Sequence, residues 1–134
     1  MKMKRGVYQL LIKLDSDKIM PVGRLGVFEF PAGYYVYTGS AMNGLDHRVA
    51  RHLSNSKRFH WHIDYLLEQS SIIRYAIKEC SAGVRLECGC NAAMLAMEGA
   101  STPVKGFGSS DCKCRSHLVY FADEPALALD AATA

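Results

Sequence analysis

Three kinds of side chain that can act on a phosphate group occur in the first half of the sequence. Tyr8 lies in the first apolar run, Tyr37 lies near the end of a later one, and Arg48 and His52 follow with the spacing of one helical turn. Cleaving a phosphodiester requires a group that accepts a proton from water and a cation that stabilises the charge developing around phosphorus. The two phenols, the guanidinium and the imidazole therefore indicate phosphodiester hydrolysis.

Each of the four residues has a catalytic role that suits its chemistry, and each has a structural alternative. Arg48 stays charged at every relevant pH and can grip two phosphate oxygens at once. Tyr8 is expected to act as the base or to position the water, with Tyr37 in support. Because a free phenol has a pKa of about 10, a neighbouring cation or metal-bound water must help it accept a proton. His52 either takes part in proton transfer or phosphate binding, or is a partly buried histidine that caps a helix.

Glu87 is the expected ligand of a divalent cation. It lies beside the core-facing residues of a predicted third helix, so its carboxylate can reach the sheet instead of open solvent. Mg²⁺ (or Mn²⁺) is satisfied by one or two carboxylates, the substrate phosphate and several waters, so one glutamate is sufficient. The alternative is an acidic residue in a first helical turn that is stabilised by the helix dipole.

Short motifs around these residues resemble the GIY-YIG nuclease superfamily. Gly6-Val7-Tyr8 corresponds to the first signature tripeptide, Tyr37-Thr38-Gly39 to the second, and Arg48 to the arginine that follows. Segments 60–67 and 106–112 look like a branch of small stand-alone domains that are sometimes fused to DNA-repair glycosylases. The chain departs from the signature at its central isoleucines, which Val7 and Thr38 replace, but it keeps the catalytic side chains.

The resemblance extends over residues 6–121 and carries specific expectations. It implies a GIY-YIG-like fold in which the strands of Tyr8 and Tyr37 are adjacent. It also implies divalent-metal-dependent cleavage of DNA, with Glu87 as the metal-binding glutamate. The expected partners are DNA and, in some cases, a DNA-repair protein. A nucleic-acid-binding module without cleavage is the alternative function, and a structural or redox domain built on cysteines is a third.

The distribution of charge along the sequence is a stronger indication of a nucleic-acid partner than the net charge is. The 134 residues carry a formal net charge of +3, with a pI of about 8.6, which permits a nucleic-acid partner without requiring one. Basic side chains and four of the five histidines are concentrated between residues 46 and 62. A solvated basic helix face is the alternative to a phosphate-binding patch, and Trp61 is expected in the core. The residues expected to contact DNA are Gly39, Ser40, Arg51, Lys57, Arg58, His60 and His62.

The five cysteines indicate reduced thiols or metal ligands. Because no secretory leader is recognisable, a cytoplasmic protein is expected, and a disulfide framework is not. Two Cys-x-Cys pairs are present, although structural zinc sites more commonly use Cys-x₂₋₄-Cys. Cys90 also fits the buried stripe of the third helix, where cysteine acts as a small apolar residue. The possible zinc ligands are Cys88, Cys112, Cys114 and His117.

Apolar periodicity predicts an α/β domain with a small, mainly antiparallel sheet flanked by helices. The predicted strands are 6–14, 19–22, 25–30, 34–38, 72–77 and 117–121, and the predicted helices are 45–53, 61–68 and 84–98. The first four strands are expected to form an antiparallel meander, followed by a loop at 39–44. Alternation places Tyr35 and Tyr37 on one face, and Tyr34 and Val36 on the other.

The length predicts one domain, residues 1–124, followed by a tail. Residues 125–134 are alanine-rich with little to bury, so a flexible C-terminal tail is expected. No stretch approaches the roughly 18 apolar residues of a membrane span, so no membrane partner is expected.

Overall fold

The computed structural model describes residues 5–41, 44–54, 61–80, 84–108 and 114–129, with the side chains of residues 84 and 85 left aside. Within these ranges the fold is mixed α/β, as the sequence predicts. The strands are β1 (Gly6–Leu14), β2 (Lys18–Pro21), β3 (Val27–Phe30), β4 (Gly33–Ala41), β5 (Ser71–Glu79) and β6 (Leu118–Phe121). The helices are α1 (Leu45–Leu53), α2 (His62–Glu68) and α3 (Val84–Leu95). None of the described helices combines the length and apolar character of a membrane-spanning segment.

Strand β1 is at the centre of a four-stranded antiparallel sheet in the order β5-β1-β4-β6. Every residue of β1 except Lys13 is buried, so the strand needs neighbours on both edges and cover on both faces. The two partly exposed strands β2 and β3 pair separately as a two-stranded sheet. The predicted continuous meander is therefore wrong: β1 pairs with β4 and β5 instead of with the strand that follows it.

Strand β4 is longer than the sequence predicts. It continues to Ala41, through residues expected to begin a loop, because β1 pairs with it from Gly6↔Ala41 to Leu14↔Gly33. Strand β3, in contrast, starts two residues later than expected because Gly23–Leu25 form a short 3-10 turn. Strand pairing determines where β4 ends, and local turn geometry determines where β3 begins. The apolar pattern determines neither boundary.

Alternation along the strands separates two cores, as predicted. Tyr35 and Tyr37 pack in the larger core with Tyr8, against α1 and α2; we call this side of the sheet the tyrosine face. Tyr34 and Val36 lie on the opposite face, which helix α3 covers.

The beginning of the predicted tail belongs to the opposite face. Leu127 and Leu129 are 1% and 0% exposed, and the backbone N–H of Leu129 donates to Oε1 of buried Gln9 at 3.0 Å. The same glutamine donates through Nε2 to Thr38 Oγ1 at 3.0 Å. The expectation that residues 126–134 bury little is wrong for these two leucines, because the opposite face of β1 needs cover that α3 does not supply alone.

Candidate active site

Two signature glycines allow the central strands to come close enough to build the tyrosine face. Gly6 faces Glu79 of β5, and a Cβ at this position would overlap the backbone carbonyl oxygen of Lys78. Gly39 faces Tyr8 across β1 and β4, and its missing side chain leaves room for the phenol ring. The glycines of the two motifs therefore have a packing role that strand periodicity alone does not reveal.

The side chains of Tyr8, Tyr37 and His52 meet on the tyrosine face. The Tyr8 hydroxyl lies 2.8 Å from Nε2 of His52, which helix α1 delivers at 2% exposure. The ring centroids of Tyr8 and Tyr37 are 6.3 Å apart, and those of Tyr37 and His52 are 6.1 Å apart. Of the alternatives left open for His52, its burial argues against direct phosphate binding and leaves proton transfer and a structural role.

Arg48 adds a fixed positive charge beside this cluster. Its Nη1 donates to the carbonyl oxygen of Ser40 at 3.1 Å, and its guanidinium lies 4.6 Å from the centre of the Trp61 ring. The positive charge of the guanidinium also acts on the Tyr8 side chain and lowers the pKa of its phenol, against the larger effect of burial. The hydrogen bond of 2.8 Å between Tyr8 and His52 therefore lies near a fixed positive charge.

Burial works against ionisation of either phenol. Burial raises the pKa of Tyr8 above its ordinary value, and the Arg48 guanidinium offsets only part of that rise. Burial also raises the pKa of Tyr37, with Tyr8 and then Glu87 adding to the effect. A stable phenolate at neutral pH is therefore disfavoured. Of the two roles expected for Tyr8, positioning water suits this environment better than acting as a free base.

Glu87 approaches from the edge of the sheet. Helix α3 packs on the opposite face, but Glu87 Oε2 lies 2.7 Å from Nδ1 of His117, the residue before β6. His117 in turn accepts a hydrogen bond from the N–H of Thr38, at 3.1 Å, where β4 extends beyond β6. The Glu87 side chain is 12% exposed, and its charge contributes to the raised pKa of both phenols. Its carboxylate is thus within electrostatic reach of the two tyrosines.

Three of the residues named as possible zinc ligands are adjacent. The ligand atoms of Cys88, Cys114 and His117 all lie within 4.8 Å of one another, so these residues form a possible metal-binding cluster. Cys112, the fourth, lies outside the described residues. Glu87 and Cys88 are neighbours in the chain, although the sequence analysis expected Mg²⁺ at Glu87 and zinc at Cys88. The structure connects them through His117.

Arg51, expected to contact DNA, is engaged inside the protein. Its two terminal nitrogens hold both carboxylate oxygens of Asp64, at 3.0 and 3.1 Å, and its guanidinium lies 4.3 Å from the centre of the Trp61 ring. Asp64 is fully buried and also accepts from the backbone N–H of Trp61 at 2.9 Å. Sequence reasoning missed Asp64, although an acid at the third position of a helix is a recognisable capping signal.

The other predicted DNA contacts have varied surroundings. Nδ1 of His62 accepts from the N–H of Gly108 at 2.9 Å, and burial lowers the pKa of this histidine, so the neutral imidazole is favoured. Gly39 is buried beneath the Tyr8 ring, and Ser40 offers its carbonyl oxygen to Arg48. The remaining predicted contacts lie outside the described residues: Lys57, Arg58 and His60.

Comparison with known proteins identifies a family for this chain. No curated protein and no solved structure is significantly similar to the chain. A family model described as "Domain of unknown function DUF123" matches residues 7–134, which is nearly the whole sequence. Apart from Gly6 at the start of β1, that match includes the strands and helices of the tyrosine face and the residues of the possible metal-binding cluster. The chain therefore belongs to the DUF123 family.

Proposed function

We propose that the chain is a divalent-metal-dependent endonuclease of the GIY-YIG type that hydrolyses DNA phosphodiesters, with DNA repair as its setting. One observation carries the proposal: the Tyr8 hydroxyl lies 2.8 Å from Nε2 of His52 and is under the influence of the positive charge of Arg48. A proton donor and acceptor in series beside a fixed positive charge is what attack of water on a phosphodiester requires. Tyr37, packed beside them, completes the motif that resembles the nuclease signature.

The hydrogen bonds around Tyr8 supply a proton path that does not need a stable phenolate. A water held by a remaining lone pair of the Tyr8 oxygen gives a proton to that oxygen while it attacks phosphorus. At the same time the phenol passes its own proton to Nε2 of His52, at 2.8 Å. The phenol is neutral before and after the step, which suits a pKa that burial raises. Arg48 stabilises the negative charge that develops on the phosphate oxygens.

Glu87 would hold Mg²⁺ or Mn²⁺, together with waters and an oxygen of the bound phosphate. A carboxylate has two oxygens, so the contact of Oε2 with Nδ1 of His117 leaves Oε1 for this role. The cation would supply charge stabilisation at the phosphate and the leaving oxygen. The partial exposure of Glu87 supports access of a hydrated ion from solvent, since its side chain is 12% exposed.

The decisive experiment follows cleavage of plasmid and branched DNA with and without Mg²⁺. We expect cleavage by the wild type only with the metal. We expect Arg48→Ala to lower the rate by about 10²–10³-fold, the usual loss when one transition-state charge donor is removed. Glu87→Ala and Tyr8→Phe are expected to be similarly impaired. Tyr34→Phe is the matched control, because Tyr34 lies on the opposite face of the sheet and should leave the rate unchanged.

Two results would exclude this function. One is wild-type protein that cleaves no DNA with Mg²⁺ or Mn²⁺. The other is cleavage that does not depend on the proposed site: cleavage that persists in a chelator, or that is unchanged in Arg48→Ala. Such cleavage would come from a contaminating nuclease.

A nucleic-acid-binding module that acts with a repair partner is the second candidate. The burial of the two phenols favours it, since Tyr8 and Tyr37 are only 2% and 8% exposed and a phosphate would have to approach them closely. In that case the wild type binds DNA without cutting it. Arg48→Ala would then weaken binding to all sequences alike and would reduce its dependence on salt concentration.

A further inference from the structure

A set of soft metal ligands lies at the edge of β4, apart from the tyrosine face. It combines a thiol from helix α3, a thiol from the segment before β6, and a buried imidazole. We propose that Cys88, Cys114 and His117 bind one zinc ion and that Glu87 is the positioning residue that orients His117 toward it. This site does not depend on nuclease activity and goes beyond it.

The separation of the ligand atoms suits a single tetrahedral ion. With Zn–S of about 2.3 Å and Zn–N of about 2.0 Å, tetrahedral geometry places sulfur and nitrogen about 3.5 Å apart. Sγ of Cys88 lies 3.9 Å from Nε2 of His117, and all three ligand atoms are within 4.8 Å of one another. The Cys88–His117 pair is therefore within a few tenths of an ångström of the separation that a shared zinc ion needs.

The hydrogen bonds of His117 provide a second, independent observation. Its Nδ1 lies 2.7 Å from Oε2 of Glu87 and 3.1 Å from the carbonyl oxygen of Thr38, and both of these atoms can only accept when the glutamate is ionised. The hydrogen is therefore on Nδ1, and the lone pair of Nε2 is directed to Cys88. Metal-binding histidines have this arrangement: a carboxylate or carbonyl fixes the tautomer and leaves the other nitrogen for the metal.

The segments that carry the ligands are held together by contacts of their own. Asn91 of α3 donates through Nδ2 to the carbonyl oxygen of Ser116 at 2.6 Å. The carbonyl oxygen of His117 accepts from the N–H of Thr38 at 3.1 Å. The site is therefore preorganised, and zinc binding does not require a further loss of conformational entropy in these segments. Two thiolates and a neutral imidazole also balance the charge of Zn²⁺.

Metal analysis of the purified full chain tests the proposal. After treatment with a chelating resin and reloading with zinc, we expect about one zinc per chain in the wild type. Cys88→Ala should lose it, and the matched control Cys90→Ala should retain it, because Cys90 is buried on the same helix among apolar residues. Substitution with Co²⁺ should give the thiolate-to-metal charge-transfer absorption in the wild type and in Cys90→Ala.

Glu87→Gln tests the positioning role. It should weaken zinc binding by about 10–100-fold, the usual loss when the partner of a metal-bound histidine is changed, while Co²⁺ bound at saturation keeps its charge-transfer absorption. A structural role alone would change thermal stability without changing metal affinity. Loss of DNA cleavage with unchanged zinc affinity would support a role of Glu87 in the nuclease site and contradict this positioning role.

A measurement on the wild type alone covers the case in which a variant does not fold. Bound zinc should protect Cys88 and Cys114 from alkylation, measured residue by residue with mass spectrometry, and should leave Cys80 unprotected. The proposal is overturned if the wild type binds neither zinc nor cobalt. It is also overturned if Cys88 and Cys114 are found as a disulfide under reducing conditions, or if zinc protects neither thiol.

Discussion

The phenol of Tyr8 lies so close to Gly39 of the neighbouring strand that a Cβ on Gly39 would be 2.5 Å from both Cζ and the hydroxyl oxygen of the tyrosine. The ring has its other side against His52, with centroids 5.3 Å apart, so it has little room to move away. The glycine therefore determines the position of the hydroxyl that the proposed proton path uses.

Gly39→Ala should displace the Tyr8 ring and break its hydrogen bond with His52. We expect a loss of about 1–3 kcal/mol in the free energy of unfolding, as for other overpacked cores, together with loss of DNA cleavage. Gly89→Ala is the control, because a Cβ there meets nothing within 4 Å in helix α3 and should be neutral or stabilising by about 0.5–1 kcal/mol. Urea unfolding of both variants measures the difference. Equal stability of the two would show that the ring has an alternative position.

Arg51→Ala should destabilise the protein, not merely weaken DNA binding. The substitution leaves the carboxylate of Asp64 buried without its guanidinium, at 0% side-chain exposure. Removing one partner of a fully buried ion pair lowers the free energy of unfolding by about 3–5 kcal/mol. We expect a smaller decrease of about 2–3 kcal/mol here, because Arg51 is 27% exposed. Denaturant unfolding measures it, with exposed Arg24→Ala as control. Weakened DNA binding at unchanged stability would instead support the DNA contact predicted from sequence.

His62 should make stability depend on pH in the mildly acidic range. Because burial lowers its pKa, the unfolded chain binds the proton more readily than the folded one does. The contribution of His62 is therefore present above about pH 6.5, the unfolded value, and is lost as the pH falls toward the lowered folded value. His62→Asn keeps an acceptor for the Gly108 N–H but does not titrate, so its stability should fall less between about pH 7.5 and 5.5.

Thermal unfolding at a series of pH values gives the comparison for His62. His47→Asn is the control, since His47 is exposed on α1 and its replacement should leave the wild-type slope unchanged. A His62→Asn variant with the full wild-type slope would assign the pH dependence to another group.

Leu129→Ala should lower the free energy of unfolding by about 2–5 kcal/mol, the range for a leucine replaced by alanine in a packed core. Leu129 is completely buried with Val7 and Cys90 on the opposite face of the sheet. Leu53→Ala, at a leucine that is 45% exposed, is the control and should cost much less. Urea unfolding compares the two. A neutral effect of Leu129→Ala would support the flexible tail that the sequence predicts from residue 125.

Local pattern alone was sufficient for the class of the fold and for most of its elements. Apolar residues at helical spacing predicted α1 with its observed bounds, Leu45–Leu53. Alternation correctly assigned Tyr35 and Tyr37 to one core and Val36 to the other. These features depend on residues a few positions apart, whose side chains share a face because of the repeat of the backbone itself.

The amino-acid order also identified Tyr8, Tyr37, Arg48 and Glu87 as residues of interest, but it did not specify what they contact. Tyr8 and His52 are 44 residues apart in the chain and become hydrogen-bonded only when α1 packs on the sheet. Such partners are determined by long-range packing, which does not produce a repeating pattern in the sequence.

Tertiary structure alone decided the surroundings of the other polar groups. It directed Arg51 to Asp64, placed Glu87 against His117 and covered the opposite face with Leu129. The physical reason is that a buried charge or donor must find its partner within hydrogen-bonding distance, and which partner is near depends on the assembled fold and not on the order of residues.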